Sequence, residues 1–211
     1  MDRIAEWLAY QAIKHWLMIV NLAVALFLLP TILAPILMVA GFTEPARIIY
    51  SLYSITCHQL PERSFFIGPK LYYTLNEIRE AMGPDAGNIA KRRAFIGNPE
   101  IGYKMAICER DFAIYFSILV AGLAFSLVRG KLEPLPFKGF LILCIPIAVD
   151  GLTQFLGLRE STPPGRIFSG SLFGAGLVWT LYPRIEAAFQ EAREIAEEKW
   201  KKRSGKSTEG C

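Results

Sequence analysis

Cys57-His58-Gln59 and Cys108-Glu109-Arg110-Asp111 are two short polar strings set beside long apolar stretches. Thiol, imidazole and carboxylate are the side chains that ligate metals or carry thiol chemistry. Cys57, His58, Cys108 and Asp111 together make a four-ligand set for zinc, and the step from 108 to 111 brings both side chains to one face if that turn is helical. The adjacency of Cys57 and His58 weighs against both binding one ion, because that requires an unusual backbone turn. Two competing readings of the thiols stay open: a structural disulfide, which needs Cα atoms about 4.4–6.8 Å apart, and a redox pair cycling between dithiol and disulfide.

A second polar group lies nearby in kind. Asp150 and Gln154 fall four residues apart within an apolar run, hence on one side of a helix. A carboxylate inside a membrane segment costs about 2.5–3.5 kcal/mol on insertion scales, so Asp150 is expected to face the protein interior. Arg159 and Arg166 are its natural partners, and a structural ion pair is as good an account as a functional one. With Gln59, Arg63 and Arg110 these residues form the candidate set for contact with an anionic substrate, since several arginines on one membrane face need anions to neutralise them.

The elements that must position these groups are membrane helices. Hydrophobic residues make up 53% of the 211 and the mean hydropathy is +0.32, too apolar for an ordinary soluble domain. Four runs, at about 16–41, 112–128, 136–158 and 167–182, approach the roughly 20 helical residues that cross a bilayer core. Alternation of a barrel kind is absent, so the expected fold is an all-α membrane protein, a bundle of about four transmembrane helices. Pro30 and Pro35 predict a bend or break in the first span, which runs on too far for a secretory signal peptide. Residues 47–55 are apolar but too short to cross, and read as a re-entrant or interfacial helix.

Lysine and arginine sort the loops. The tail after 183 and the loop holding Arg129, Lys131 and Lys138 are basic, whereas the opposite short loop has Arg159 and Arg166 alone. Both termini are therefore expected in the cytoplasm, with both polar strings, Asp150 and Gln154 at the extracytoplasmic end. Residues 1–182 form the membrane domain, with a loop of short helices at 42–111. Residues 183–211 form a cytoplasmic amphipathic helix, with Ile185, Ala188, Phe189, Ala192, Ile195 and Ala196 on one stripe, and then a disordered tail. Gly170 and Gly174 allow close helix approach, first within the chain and second in a homodimer.

The run Cys57 to Phe66, a Cys-x-Arg motif opening a span, Asp150-Gly151-Leu152-Thr153-Gln154, and Arg159-Glu160-Ser161-Thr162 followed by Arg166 and Gly170 resembles the membrane proteins grouped as domain of unknown function 2085. The resemblance extends over residues 57–182 and implies a helical membrane protein, but brings no activity with it. The family pattern it suggests is Cys-x-Arg-Cys, where this chain has Asp111 in the second cysteine's place, and residues 68–104 read as an insertion. Asp111 cannot resolve a disulfide, but it can replace cysteine on zinc, which tilts the reading toward metal.

Nothing supports nucleic-acid binding at a net charge of +4, and no Walker loop, dinucleotide fingerprint or His-Glu-x-x-His helix is present. Three functions fit. One is a zinc-supported enzyme acting on a lipid or lipid-linked anion. Another is a binding or assembly subunit of a membrane complex, with the site as a staple. The third is a thiol oxidoreductase using Cys57 and Cys108.

Overall fold

The structure is a computed structural model and describes residues 2–205, so the disordered tail expected at the C-terminus lies largely outside the described residues. Helices dominate: α1 (Asp2–Lys14), α2 (Trp16–Val39), α3 (Thr43–Tyr53), α4 (Leu75–Met82), α5 (Ile89–Ala94), α6 (Glu109–Val128), α7 (Phe137–Phe155) and α8 (Pro163–Gly205). Three of them, α2, α6 and α7, are long and apolar enough to cross a membrane. Their outer faces carry exposed large side chains such as Leu22, Leu29, Phe116, Val120, Ile142 and Ile145. An apolar face of this kind is stable against lipid and not against water.

The fourth expected span is not among these three. Residues 167–182 belong to α8, a single helix of 43 residues that also includes the expected amphipathic stretch. Pro183 was a reason to place a boundary there, since it removes one amide donor. The carbonyl it frees, that of Trp179, accepts instead from the Leu135 amide at 3.2 Å, so the helix continues. Pro35 in α2 is accommodated in the same way. It frees the Thr31 carbonyl, which accepts from the Ala106 amide at 3.3 Å, and α2 runs through both prolines without the break that the sequence allows there.

Helix α8 packs along α6 from end to end. A Cβ on Gly174 would lie 2.1 Å from Ser117 Oγ and 2.5 Å from the Ile114 carbonyl oxygen, and one on Gly170 would lie 2.8 Å from the Arg110 carbonyl oxygen. Only glycine permits that approach, so the small-residue stripe serves packing inside the chain. At the far end Trp16, Ile118, Phe125, Val178 and Tyr182 form an apolar core. Glu186 is held there by Trp16 Nε1 at 2.8 Å, Arg129 at 2.7 Å and Arg193 at 2.9 Å. Trp16 is thus buried in the bundle. The stripe of α8 beyond Pro183 turns toward α1, where Tyr10 donates to Glu197 at 2.7 Å and Phe189 meets Trp16 edge-on.

Between α3 and α6 the chain forms a small antiparallel sheet in the order β1 (Phe66–Ile67), β3 (Gly102–Lys104), β2 (Gly97–Asn98). Strands of two or three residues leave no alternation to read, and the sequence does not announce them. Gly102, at φ +81°, sits where a Cβ would lie 2.2 Å from the Ile67 carbonyl oxygen. Strands β2 and β3, with α4 and α5, fall within residues 68–104, and β3 leads directly toward Cys108.

Candidate functional site

The segment after α3 and the start of α6 meet at one end of the bundle. Gln59 takes a left-handed conformation, φ 52°, unusual for a residue other than glycine. Its buried side chain explains the cost, because Nε2 donates both to the Tyr50 carbonyl at 2.9 Å and to the Ala106 carbonyl at 2.8 Å. Gln59 therefore clamps the two segments together. It has no amide hydrogen left for a ligand.

The clamp puts Cys57 against Cys108. Cys57 Sγ accepts from the Gln59 amide at 3.5 Å and the Cys108 amide at 3.3 Å. Cys108 caps α6, its sulfur accepting from the Asp111 amide at 3.4 Å. Donation by the Cys108 thiol holds Cys57 below the usual thiol range, whereas that same contact and burial push Cys108 well up. Cys57 is the thiol that ionises first.

Ligand atoms of Cys57, Cys108 and Asp111 all lie within 4.8 Å of one another. His58 is outside this group, though it lines the same cavity of about 240 Å³. Two thiols and a carboxylate are zinc donors, and amide hydrogens pointing at sulfur are the outer-shell support that such ligands need. The donor set therefore fits a zinc ion with three protein ligands.

Arg63, Arg110, Arg166 and Gln154 line the same cavity. Arg110 is oriented by Asp150 at 2.5 Å and by Gln154 at 3.2 Å, and Asp150 also accepts from Arg159 at 2.8 Å and Ser161 at 2.7 Å. Asp150 and Arg159 are not in the cavity wall; they act through Arg110. Arg166, which the sequence pairs with Asp150, instead meets Glu109 at 2.9 Å, a carboxylate with no solvent exposure. The reason is helix register: Gly170 brings the start of α8 onto the first turn of α6, so position 109 and not 150 faces Arg166.

The cavity has more donors than acceptors. Arg110 Nε, Arg166 Nε and Gln154 Nε2 are buried without a partner. Arg63 makes no side-chain hydrogen bond or ion pair among the described residues, and burial, with Arg166 and Arg110 close by, pulls its pKa below the ordinary value. A second cavity of about 190 Å³, walled by Tyr72, Tyr73, Glu160 and Glu62, whose Oε2 is itself buried without a partner, shares Arg63, Gln154 and Arg166 with the first. Buried donors of this kind are costly until they are met. An anion at the shared wall would lie beside Arg63, Gln154 and Arg166, whereas Arg110 faces the first cavity alone.

Lys104 is the group that sequence reasoning missed. It is fully buried, and its Nζ donates to the Gln59 and Arg93 carbonyls. Desolvation lowers its pKa to about 7. Between that value and the roughly 10.4 of a free lysine the unfolded chain holds a proton that the folded protein has released. Stability from this group therefore rises as pH goes from 7 to 10 and is flat below 7. Compared with Lys104→Met, wild-type protein should gain stability over that interval, as read by denaturant unfolding in detergent at a series of pH values. Parallel curves would show that Lys104 is solvated.

A helical membrane protein with a thiol- and arginine-lined cavity at one end of its bundle is the class these features define. The family model described as predicted membrane protein (DUF2085) matches residues 91–180. The chain is also 32% identical over 178 residues to the uncharacterized protein MJ1492 of Methanocaldococcus jannaschii, covering 81% of this chain and 92% of that one. The protein belongs to this family of predicted membrane proteins. No solved structure matches it significantly.

Proposed function

We propose that the protein is a zinc-supported membrane enzyme whose extracytoplasmic cavity binds the anionic group of a lipid or lipid-linked molecule. The observation that carries this reading is the single cavity in which three metal-ligand atoms lie beside Arg63, Arg110 and Arg166. Cys57, Cys108 and Asp111 hold the ion, and three protein ligands leave a tetrahedral ion one position for a substrate, as in catalytic rather than structural zinc sites. Zinc in such a setting supplies Lewis-acid polarisation of a bound oxygen. Arg63 and Arg166 clamp the anion, and Asp150 fixes Arg110 for the same task.

The topology that goes with it has both termini in the cytoplasm and four crossings, the fourth being residues 167–182 of α8. Support comes from the flanking ion pairs: Arg166 meets Glu109 at one end of α6, and Glu186 meets Arg129 at the other. About 20 residues thus lie alongside a helix that itself spans about 30 Å. The basic loop and tail support the orientation.

A second reading, a thiol oxidoreductase, is favoured by the placing of Cys57 against Cys108, whose thiol holds that of Cys57 below the ordinary range. Elemental analysis of detergent-purified protein, with thiols counted after denaturation with and without reductant, separates the two. About one zinc per chain is expected, with Cys57 and Cys108 countable without reductant. Absence of metal, with two thiols appearing only after reduction, overturns the metal reading in favour of the redox pair.

A further inference from the structure

A groove of about 550 Å³ runs between α2 and α6 at the opposite end of the bundle, beside the α1–α2 junction. Leu22, Ala25, Leu119 and Leu123 make its walls, Lys14 and Arg129 stand at its mouth, and no carboxylate lines it. Lys14 has no ion pair among the described residues. Arg129 shares Glu186 with Arg193, so that cluster of two cations and one anion is net positive, and the buried Nη2 of Arg129 has no partner.

Asn21 is the second observation. It is 8% exposed, makes no side-chain hydrogen bond, and its buried Oδ1 has no partner. That oxygen is turned onto Gly122 of α6, where a Cβ would lie 2.2 Å away, which leaves the amide hydrogens of Asn21 unspent. The position is about 9 Å deeper along the helix than His15, at 1.5 Å per residue. The Nδ2 of Asn21 has no hydrogen-bond partner among the described residues, and an unpaired donor facing an apolar groove is costly unless a ligand supplies an acceptor.

We propose that this groove binds an anionic glycerophospholipid. Its phosphate lies between Lys14 and Arg129, its glycerol oxygens accept from Asn21, and one chain lies along Leu22 and Leu123. The spacing fits because the glycerol oxygens of a lipid sit deeper than its phosphate. Apolar groove, cationic mouth and the unspent amide donor of Asn21 between them match the three parts of one molecule.

Native mass spectrometry of the detergent-purified full chain, with phosphatidylglycerol or phosphatidylcholine added, tests this. Phosphatidylglycerol should remain bound one per chain and exceed phosphatidylcholine by about tenfold or more. Lys14→Glu should abolish that preference, and Ala25→Trp should expel both lipids while the protein still elutes as folded material in size exclusion. If Ala25→Trp does not fold, Ser126→Trp fills the groove from the other wall. Equal retention of the two lipids, phosphatidylglycerol retention unchanged in these variants, or a lipid-free dimer with the groove closed by a second copy would each overturn the proposal.

Discussion

Replacing Arg166 by leucine is expected to cost about 3–5 kcal/mol of stability, the usual effect of removing one partner of a buried ion pair. Glu109 has no solvent exposure, one of its oxygens already lacks a partner, and the other accepts from Arg166 at 2.9 Å. Without the guanidinium a carboxylate is left in an apolar setting. The double variant Glu109→Leu/Arg166→Leu should recover much of the loss, because two apolar side chains need no desolvated charge between them. Arg166 also donates to the Ser161 and Glu62 carbonyls, so recovery should fall short of complete. A double-mutant cycle by denaturant unfolding in detergent, followed by tryptophan fluorescence, measures the coupling. A change below about 1 kcal/mol in Arg166→Leu would mean that Glu109 is solvated and the cavity open to water.

Where the buried pair stands accounts for its cost. Arg166 lines both polar cavities while Glu109 does not, so the carboxylate holds one edge of the guanidinium and leaves Nε for a ligand. Asp150 treats Arg110 in the same manner from α7. Two buried acids thus aim two arginines at one space, which costs stability and, under the proposed function, preorganises the arginines for an anion.

Local pattern was legible; pairing between elements was not. The apolar runs that became α2, α6 and α7 needed hydropathy alone, and Gly170 and Gly174 announced a close helix contact through their spacing. Cys57, Cys108 and Asp111 could be grouped because their chemistry is rare in a membrane chain. Which arginine meets which acid depends on helix rotation and register, and so Arg166 was assigned to Asp150 rather than to Glu109. The consequence of a proline depends on the same kind of distant partner. Pro35 and Pro183 do remove a helical hydrogen bond, but the freed carbonyls of Thr31 and Trp179 found amides from residues 106 and 135, distant in sequence. Lys104 gave no signal, since a lone lysine in a charged loop reads as a solvated side chain until the Gln59 clamp encloses it.

Loss of zinc is the second large effect expected, and it should divide the four sequence candidates unevenly. Cys57→Ser, Cys108→Ser and Asp111→Asn each remove a donor from the group within 4.8 Å, whereas His58→Ala removes a side chain outside it. Outer-shell changes typically weaken metal binding by about 10–100-fold, so removing a direct ligand should weaken it by more than that, and His58→Ala should fall at or below that range. Asp111→Cys should retain zinc, because thiolate replaces carboxylate as a ligand and the first turn of α6 already presents that position to Cys57 and Cys108. Competition with a chelator of known affinity gives each value. Equal losses in His58→Ala and Asp111→Asn would put the imidazole on the ion, fill the position that the three-ligand arrangement keeps for a substrate, and turn the site from a catalytic centre into a staple.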